Sequence, residues 1–275
     1  MKYIALLTSI VFIHSYAMET THNNQFKRGA LIAIEGIDGS GKSTLAQHLY
    51  KALKQKYNSV ILTKEPGDTE VGKEIREIVQ QQTEPLNPKT EFLLFAADRA
   101  EHFSKVIIPA LEKKSIIISD RLADSSMAYQ GYGRDLNKNI IRQTNEWAMY
   151  GTQPNLTIFV KVPVKIALER IAKRNENRSA FEKKPLLKKV ANGFEEIYKP
   201  YIKNTDFETI AKSFQKDLIK VNGNCVNLVI VDDVDFEEIH GNCIRLITVD
   251  GRESEEIVAQ KTITAVERWI ENHCK

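Results

Sequence analysis

From Gly29 onward, short apolar runs alternate with longer stretches in which apolar residues recur every three or four positions. Ala30–Glu35 (ALIAIE) reads as a first strand ending at a glycine. Ser43–Lys56 carries Leu45, Leu49 and Leu53 at steps of four, which predicts one apolar stripe on a helix. Ser59–Thr63 predicts a second strand, and Thr90–Leu111 a long helix broken near Pro109. Ser115–Ser119 (SIIIS) has isoleucines on both faces, as a strand buried on both sides requires. A helix over Asn139–Tyr150, a strand over Leu156–Val160 and a helix over Val164–Arg174 follow. Leu246–Val249 predicts the last core strand, and Ser254 to about Asn272 the last helix. Strands alternating with helices imply a parallel sheet covered on both faces. Asn204–Arg245 fits this rhythm least. Val226–Val231 is strand-like within it, and the stretch is read as an insertion.

The chain has 275 residues, enough for one large domain or two small ones. With 42% hydrophobic and 27% charged residues it has the composition of a globular protein, not of a disordered chain or a polytopic membrane protein. A net charge of +3 lacks the concentrated basic excess of a nucleic-acid-binding protein, so no nucleic-acid partner and no membrane partner are expected. Cys225, Cys243 and Cys274 are odd in number and without metal-ligand spacing, the pattern of free thiols. Residues 1–17 carry an apolar run behind Lys2 that is too short to span a bilayer. They read either as a signal peptide or as a non-native extension ahead of Met18. One domain over residues 29–275, with the insertion at about 204–245, is the expected organisation.

The most informative segment is Gly36-Ile37-Asp38-Gly39-Ser40-Gly41-Lys42-Ser43, a full match to GxxxxGK[ST] between a strand and a helix. Its glycines let backbone N–H groups turn toward a phosphate chain, and the helix N-terminus adds partial positive charge. Residues Gly36–Thr44 are therefore the expected ATP site. Lys42 reaches for the β- and γ-phosphates, and the Ser43 hydroxyl is placed for Mg²⁺. A second carboxylate, Asp120, ends the third strand at the same sheet edge and is the expected partner of Ser43 at the metal.

A phosphate loop identifies a nucleotide site, not a reaction. The NKxD segment of a GTPase switch and the LSGGQ segment of a transporter ATPase are both absent from the sequence. Arginines stand where they can meet phosphates: Arg99, Arg121 and the group Arg170, Arg174 and Arg178.

Three further segments carry a resemblance: Thr63-Lys64-Glu65-Pro66-Gly67, then Leu93 to His102 (LLFAADRAEH), then Asp120-Arg121 with Ser125-Ser126 and Ala128-Tyr129-Gln130-Gly131. In order and spacing they resemble the thymidylate kinases, from about Gly29 to Tyr198 and again from Leu246. The resemblance implies an α/β P-loop fold of three layers, a parallel sheet of about five strands with a short lid. It implies transfer of a phosphoryl group from Mg-ATP to dTMP. Phe95 would stack on thymine and Arg99 contact the base edge, with Glu65 in the same pocket. Ser126 and Gln130 would lie near the base, Arg121 would hold the monophosphate, and Tyr129 would pack where a ribose 2′-OH would otherwise sit. Asp38 would lie near the sugar 3′-OH and the metal's water shell. The phosphate loop has no arginine, so the lid over Arg170–Glu182 would supply Arg174 and Arg178 to the transferring group. A homodimer is implied too, and the need for ATP places the protein in the cytoplasm. Other nucleoside monophosphate or deoxynucleoside kinases, and a non-catalytic nucleotide-binding protein, are the alternatives.

The chain departs from the family pattern at Lys64, Asp68, Leu122 and Lys161. Asp68 stands where the family has a second glycine, and brings a negative charge toward the expected monophosphate.

Overall fold

The computed structural model describes residues 29–80, 84–174, 180–202, 228–230 and 246–273. Strand β1, Ala30–Glu35, is buried at every position. Side chains alternate across a strand, so its two faces build two different cores. Ala30, Ile32 and Ile34 pack with Leu45, Leu49 and Leu53 of helix α1 (Lys42–Lys56) and with Val266, Trp269 and Ile270 of α9 (Glu255–His273). Leu31 and Ala33 pack on the opposite face with Phe103, Ile107, Ala110 and Met149. These are the two outer layers of the expected three-layer fold.

The sheet also contains β2 (Val60–Lys64), β3 (Ile116–Asp120), β4 (Leu156–Lys161) and β6 (Leu246–Asp250). All pairings are parallel, in the order β2-β3-β1-β4-β6-β5. The five expected strands are present. The sixth, β5 (Leu228–Ile230), is a short edge strand within the stretch read as an insertion, most of which lies outside the described residues. The chain turns to opposite sides of β1 on leaving and re-entering the sheet. That leaves a crevice at the carboxyl ends of β1, β3 and β4, where open α/β sheets bind ligands.

Helix α2 (Glu70–Gln80) follows β2, and α3 (Pro88–His102) starts under a cap in which the Asn87 side chain accepts from the Lys89 N–H. The expected break near Pro109 does not occur. Residues Phe103–Ile107 instead form one wide π turn, with the Ile108 N–H bonded to Phe103 O, and the helix runs on as α4 (Ile108–Glu112). Proline removes one N–H and crowds the carbonyl four residues back; a wide turn just before it relieves both.

After β3, α5 (Ala123–Ser126) continues into a second wide turn, Met127–Gly133, and α6 (Lys138–Ala148) follows. Helix α7 (Val164–Lys173) leaves β4, and a short turn over Ala180–Glu182 precedes α8 (Lys184–Ile202). Helix α8 packs Leu187, Val190, Phe194 and Tyr198 against Phe159, Ala128 and Tyr129. Among the described residues, no helix is long and apolar enough to cross a membrane. Residues 1–17 and all three cysteines lie outside the described residues.

Candidate active site

The phosphate loop joins β1 to α1. Gly39 has φ 79°, and a Cβ there would stand 2.4 Å from the Ala167 carbonyl oxygen, so only glycine allows the loop this close to α7. Gly41, at φ 99°, turns the chain into α1. Gly36, Ile37 and Ser40 complete the turn: the Ile37 side chain is buried in the core beside α7, and the Ser40 N–H closes onto Ile37 O. Lys42 is buried, and its ammonium donates to Ile37 O at 2.8 Å. Burial, helped by the Arg121 charge, pushes the lysine down to about 8. Thr44 lines the cavity behind the loop.

Ser43 donates its hydroxyl to Asp120 Oδ2 at 2.5 Å, across from α1 to the end of β3. The other carboxylate oxygen, Asp120 Oδ1, is buried without a hydrogen-bond partner. A hydroxyl and a carboxylate with a spare oxygen lone pair form a donor set suited to a hard cation such as Mg²⁺.

Arg121 follows immediately, at φ 78°, and reaches back under the loop. It donates to Gly36 O at 3.1 Å and to Ser125 Oγ at 2.9 Å, and its second terminal nitrogen pairs with the Asp38 carboxylate. The guanidinium lies 5.2 Å over the Tyr129 ring. The Tyr129 hydroxyl donates to Asp38 Oδ2 and accepts from the Asp38 N–H, both at 2.9 Å. Burial works against the Asp38 charge, but Arg121, Lys42 and the Tyr129 hydroxyl together outweigh it and hold the carboxyl below its usual range. Beneath this group, Glu35 accepts from Leu122 N–H, Ser125 N–H and the Ser125 hydroxyl. Burial first, and the nearby Asp124 second, raise Glu35 to about 7.

On the facing wall, Phe95 meets Phe181 edge-on at 5.9 Å, and Tyr129 meets the same ring at 6.2 Å. Arg99 is fully buried on α3. It pairs with Glu65 Oε2 at 2.7 Å and donates to Ser126 Oγ at 3.0 Å and Asn145 Oδ1 at 2.7 Å. Gln130 donates to Glu91 Oε1 at 2.8 Å, and Glu91 also takes Arg134. Glu65, Phe95, Arg99, Ser126, Tyr129 and Gln130 line the same cavity as Lys42, Ser43, Asp120 and Arg121. Its volume is about 1210 Å³, above the usual range for one small ligand of roughly 300–1,000 Å³ and enough for two nucleotides.

Arg174 lines this cavity and pairs with Glu182 at 2.9 Å, whereas Arg178 lies outside the described residues. Arg170, read as one of the phosphate-facing arginines, lines the same cavity and also acts as a brace. It donates to Ser40 O at 3.2 Å and Gly251 O at 2.6 Å, tying the phosphate loop to the turn after β6. The departures have local partners as well. Asp68 Oδ2 accepts from Thr63 Oγ1 at 2.5 Å, Leu122 is buried in the core, and Lys161 pairs with Glu195 at 3.1 Å. The sequence reading did not single out Glu35, Glu91, His102, Asn145 or Phe181. Phe181 and Glu182 fell inside the expected lid, and His102 closed a quoted motif. Glu35, Glu91 and Asn145 carry no local signal, because each gains its role from a partner far along the chain.

The sequence model of the family described as thymidylate kinase matches residues 34–219, more than half of the chain. A thymidylate kinase of Halothermothrix orenii is 48% identical over 143 residues, covering 52% of this chain and 69% of that one. A thymidylate kinase of Kosmotoga olearia is 41% identical over 169 residues, covering 61% and 81%. The crystal structure of thymidylate kinase from Ehrlichia chaffeensis superposes with a TM-score of 0.57 at 26% identity, covering 87% of this chain and 99% of that one. These matches establish that the chain belongs to the thymidylate kinase family.

Proposed function

We propose that the protein transfers the γ-phosphoryl group of ATP to dTMP, giving dTDP and ADP. The observation that carries this reading is the single cavity in which a phosphate loop faces an aromatic pocket across Arg121 and Asp38. A monophosphate oxygen is already an anion at neutral pH, so the acceptor needs no general base. It needs alignment and cancellation of charge at the transferring group. Gly36–Thr44 hold the phosphates of ATP, and Lys42 supplies a fixed cation. Ser43 and Asp120 would hold Mg²⁺, which neutralises phosphate charge when bound. Arg121 takes the acceptor phosphate, in which role it exchanges part of its pairing with Asp38. Phe95 and Tyr129 flank the nucleoside, with Glu65, Arg99, Ser126 and Gln130 behind them. Arg174, and Arg178 beyond the described residues, bring charge from the lid side.

A homodimer and a cytoplasmic site of action, where ATP is supplied, complete the proposal. The test is ADP release by the full chain with Mg-ATP and each acceptor in turn. Turnover with dTMP that greatly exceeds turnover with dUMP, dCMP or thymidine supports it. Equal turnover with dUMP or dCMP would favour a broader monophosphate kinase, turnover with thymidine a deoxynucleoside kinase, and ATP binding without any turnover a non-catalytic nucleotide-binding protein. Arg174→Ala should lower kcat far more than it raises KM for dTMP. A change in KM alone would remove Arg174 from the reacting group.

A further inference from the structure

His102, the last residue of α3, is fully buried and lies outside the roles assigned above. Its two ring nitrogens join two strings of hydrogen bonds. On one side, Nε2 lies 2.6 Å from Thr63 Oγ1, and that same hydroxyl lies 2.5 Å from Asp68 Oδ2. On the other, Nδ1 lies 3.0 Å from Glu65 Oε1, whose partner oxygen pairs with Arg99. Arg99 in turn holds Ser126 and Asn145. The string thus runs from Asp68 to the far wall of the acceptor pocket, and Thr63, Glu65, Asp68, Arg99 and Ser126 all line the cavity.

Counting protons along the string decides the state of the ring. The Thr63 hydroxyl donates its single proton to Asp68 Oδ2. The Thr63 oxygen must then accept from His102, which puts a proton on Nε2. Glu65 is ionised: burial works against it, but Arg99 and His102 hold its carboxyl below the usual range. It also only accepts, which puts a second proton on Nδ1. The charged groups around the ring are Glu65 after β2, Asp68 before α2, and Asp98 and Arg99 on α3. The ring of Phe103 packs edge-on at 6.3 Å.

We infer that His102 is a positioning residue for the acceptor nucleotide: an imidazolium clamped between Thr63–Asp68 and Glu65, which fixes the carboxylate that orients Arg99. This rests on the dTMP reading proposed above. Asp68, a departure from the family pattern, thereby acquires a role: its charge is spent on Thr63 and, through it, on the ring.

The test uses the full chain, uniformly ¹⁵N-labelled and without ligand. The His102 ring nitrogens are assigned by their loss in His102→Gln. Long-range ¹H–¹⁵N correlation at about pH 7.5 should show both protonated; one bare nitrogen would overturn the inference. In Asp68→Asn the amide can donate to Thr63, which then donates to Nε2, so one ring nitrogen should lose its proton. A ring that stays doubly protonated in that variant would overturn the role given to Asp68. In kinetics, His102→Leu should raise KM for dTMP by about tenfold and leave KM for ATP within about twofold. Equal changes in both, or none, would overturn the inference. Thr63→Val keeps the volume and removes the Nε2 acceptor, so it should give the same split if His102→Leu does not fold. Absence of turnover in the unmodified chain would instead overturn the functional reading, and the ring signal would still decide the protonation.

Discussion

Lys42 carries a charge where burial works against it, and its pull down to about 8 has a visible consequence. A neutral amine cannot attract phosphates, so kcat/KM for ATP should fall as pH rises above about 8, because that ratio reports the free enzyme. A flat profile to about pH 10 would separate Lys42 from ATP capture. Lys42→Ala should cost at least about 10²–10³-fold in kcat, the scale of one lost charge-stabilising donor, while the chain still folds. Near-normal turnover would refute the assigned site. Glu35 titrates with the opposite sign for stability. Its carboxyl is raised to about 7 in the folded chain, so between about pH 4.5 and 7 the folded state holds a proton that the unfolded state has released. Stability therefore falls as pH rises through that window, by on the order of 3 kcal/mol. Glu35→Gln should flatten most of that slope in chemical denaturation at about pH 5 and pH 7.5. Asp124, also raised by burial, leaves a remainder. An unchanged slope would place the titration elsewhere.

Elements with a local pattern were legible in the sequence: the leucine stripe of α1, the isoleucines of β3 and the phosphate loop between strand and helix. Helices α2 and α8 were not, although Ile75 and Val79, and Leu187, Val190, Phe194 and Tyr198, step at helical intervals. The basic run before α8 reads as lid or solvated surface until the sheet supplies something to pack on. Residue roles followed the same rule. Lys42, Ser43, Asp120 and Arg121 sit in short motifs, whereas the link from His102 to Glu65 spans 37 residues and exists only once α3 lies beside β2. Arg170 shows a role beyond its motif: it lines the cavity, and its guanidinium also ties two distant backbone carbonyls together. Helix α8 itself supports the nucleoside wall, for Gly193 lies so close to the turn carrying Tyr129 that a Cβ would stand 2.7 Å from the Tyr132 Cβ. Gly193→Ala should therefore destabilise the fold by about 1–3 kcal/mol, the usual cost of overpacking. It should also raise KM for dTMP more than KM for ATP, since Tyr129 moves with the turn. Unfolding midpoints and the two KM values check both parts, and a variant as stable as the parent would mean that the helix shifts freely.

At the scale of the whole molecule, α3 has two distinct faces. Phe95 and Arg99 point toward the cavity, while Leu93 is exposed on the other side with Ala97. Ile140 and Trp147 on helix α6, and Tyr150 after it, are exposed as well; Trp147 is 80% exposed and, with Tyr150, lies beside Ala100 of α3. A patch of large apolar side chains on two adjacent helices is what a twofold contact buries, because the same surface then serves both copies. A second copy of this chain is the occupant that matches the proposed homodimer. It would clamp α3 from outside and so steady Arg99 and Phe95 within. The full chain should accordingly run as a dimer in light scattering at micromolar concentration, and Trp147→Glu should shift it toward monomer by placing a charge at the centre of the patch. Because α3 carries the acceptor wall, the monomeric variant should keep its ATP affinity and lose affinity for dTMP. A parent chain that is monomeric at all concentrations, or a monomeric variant with unchanged dTMP kinetics, would uncouple this face from the site.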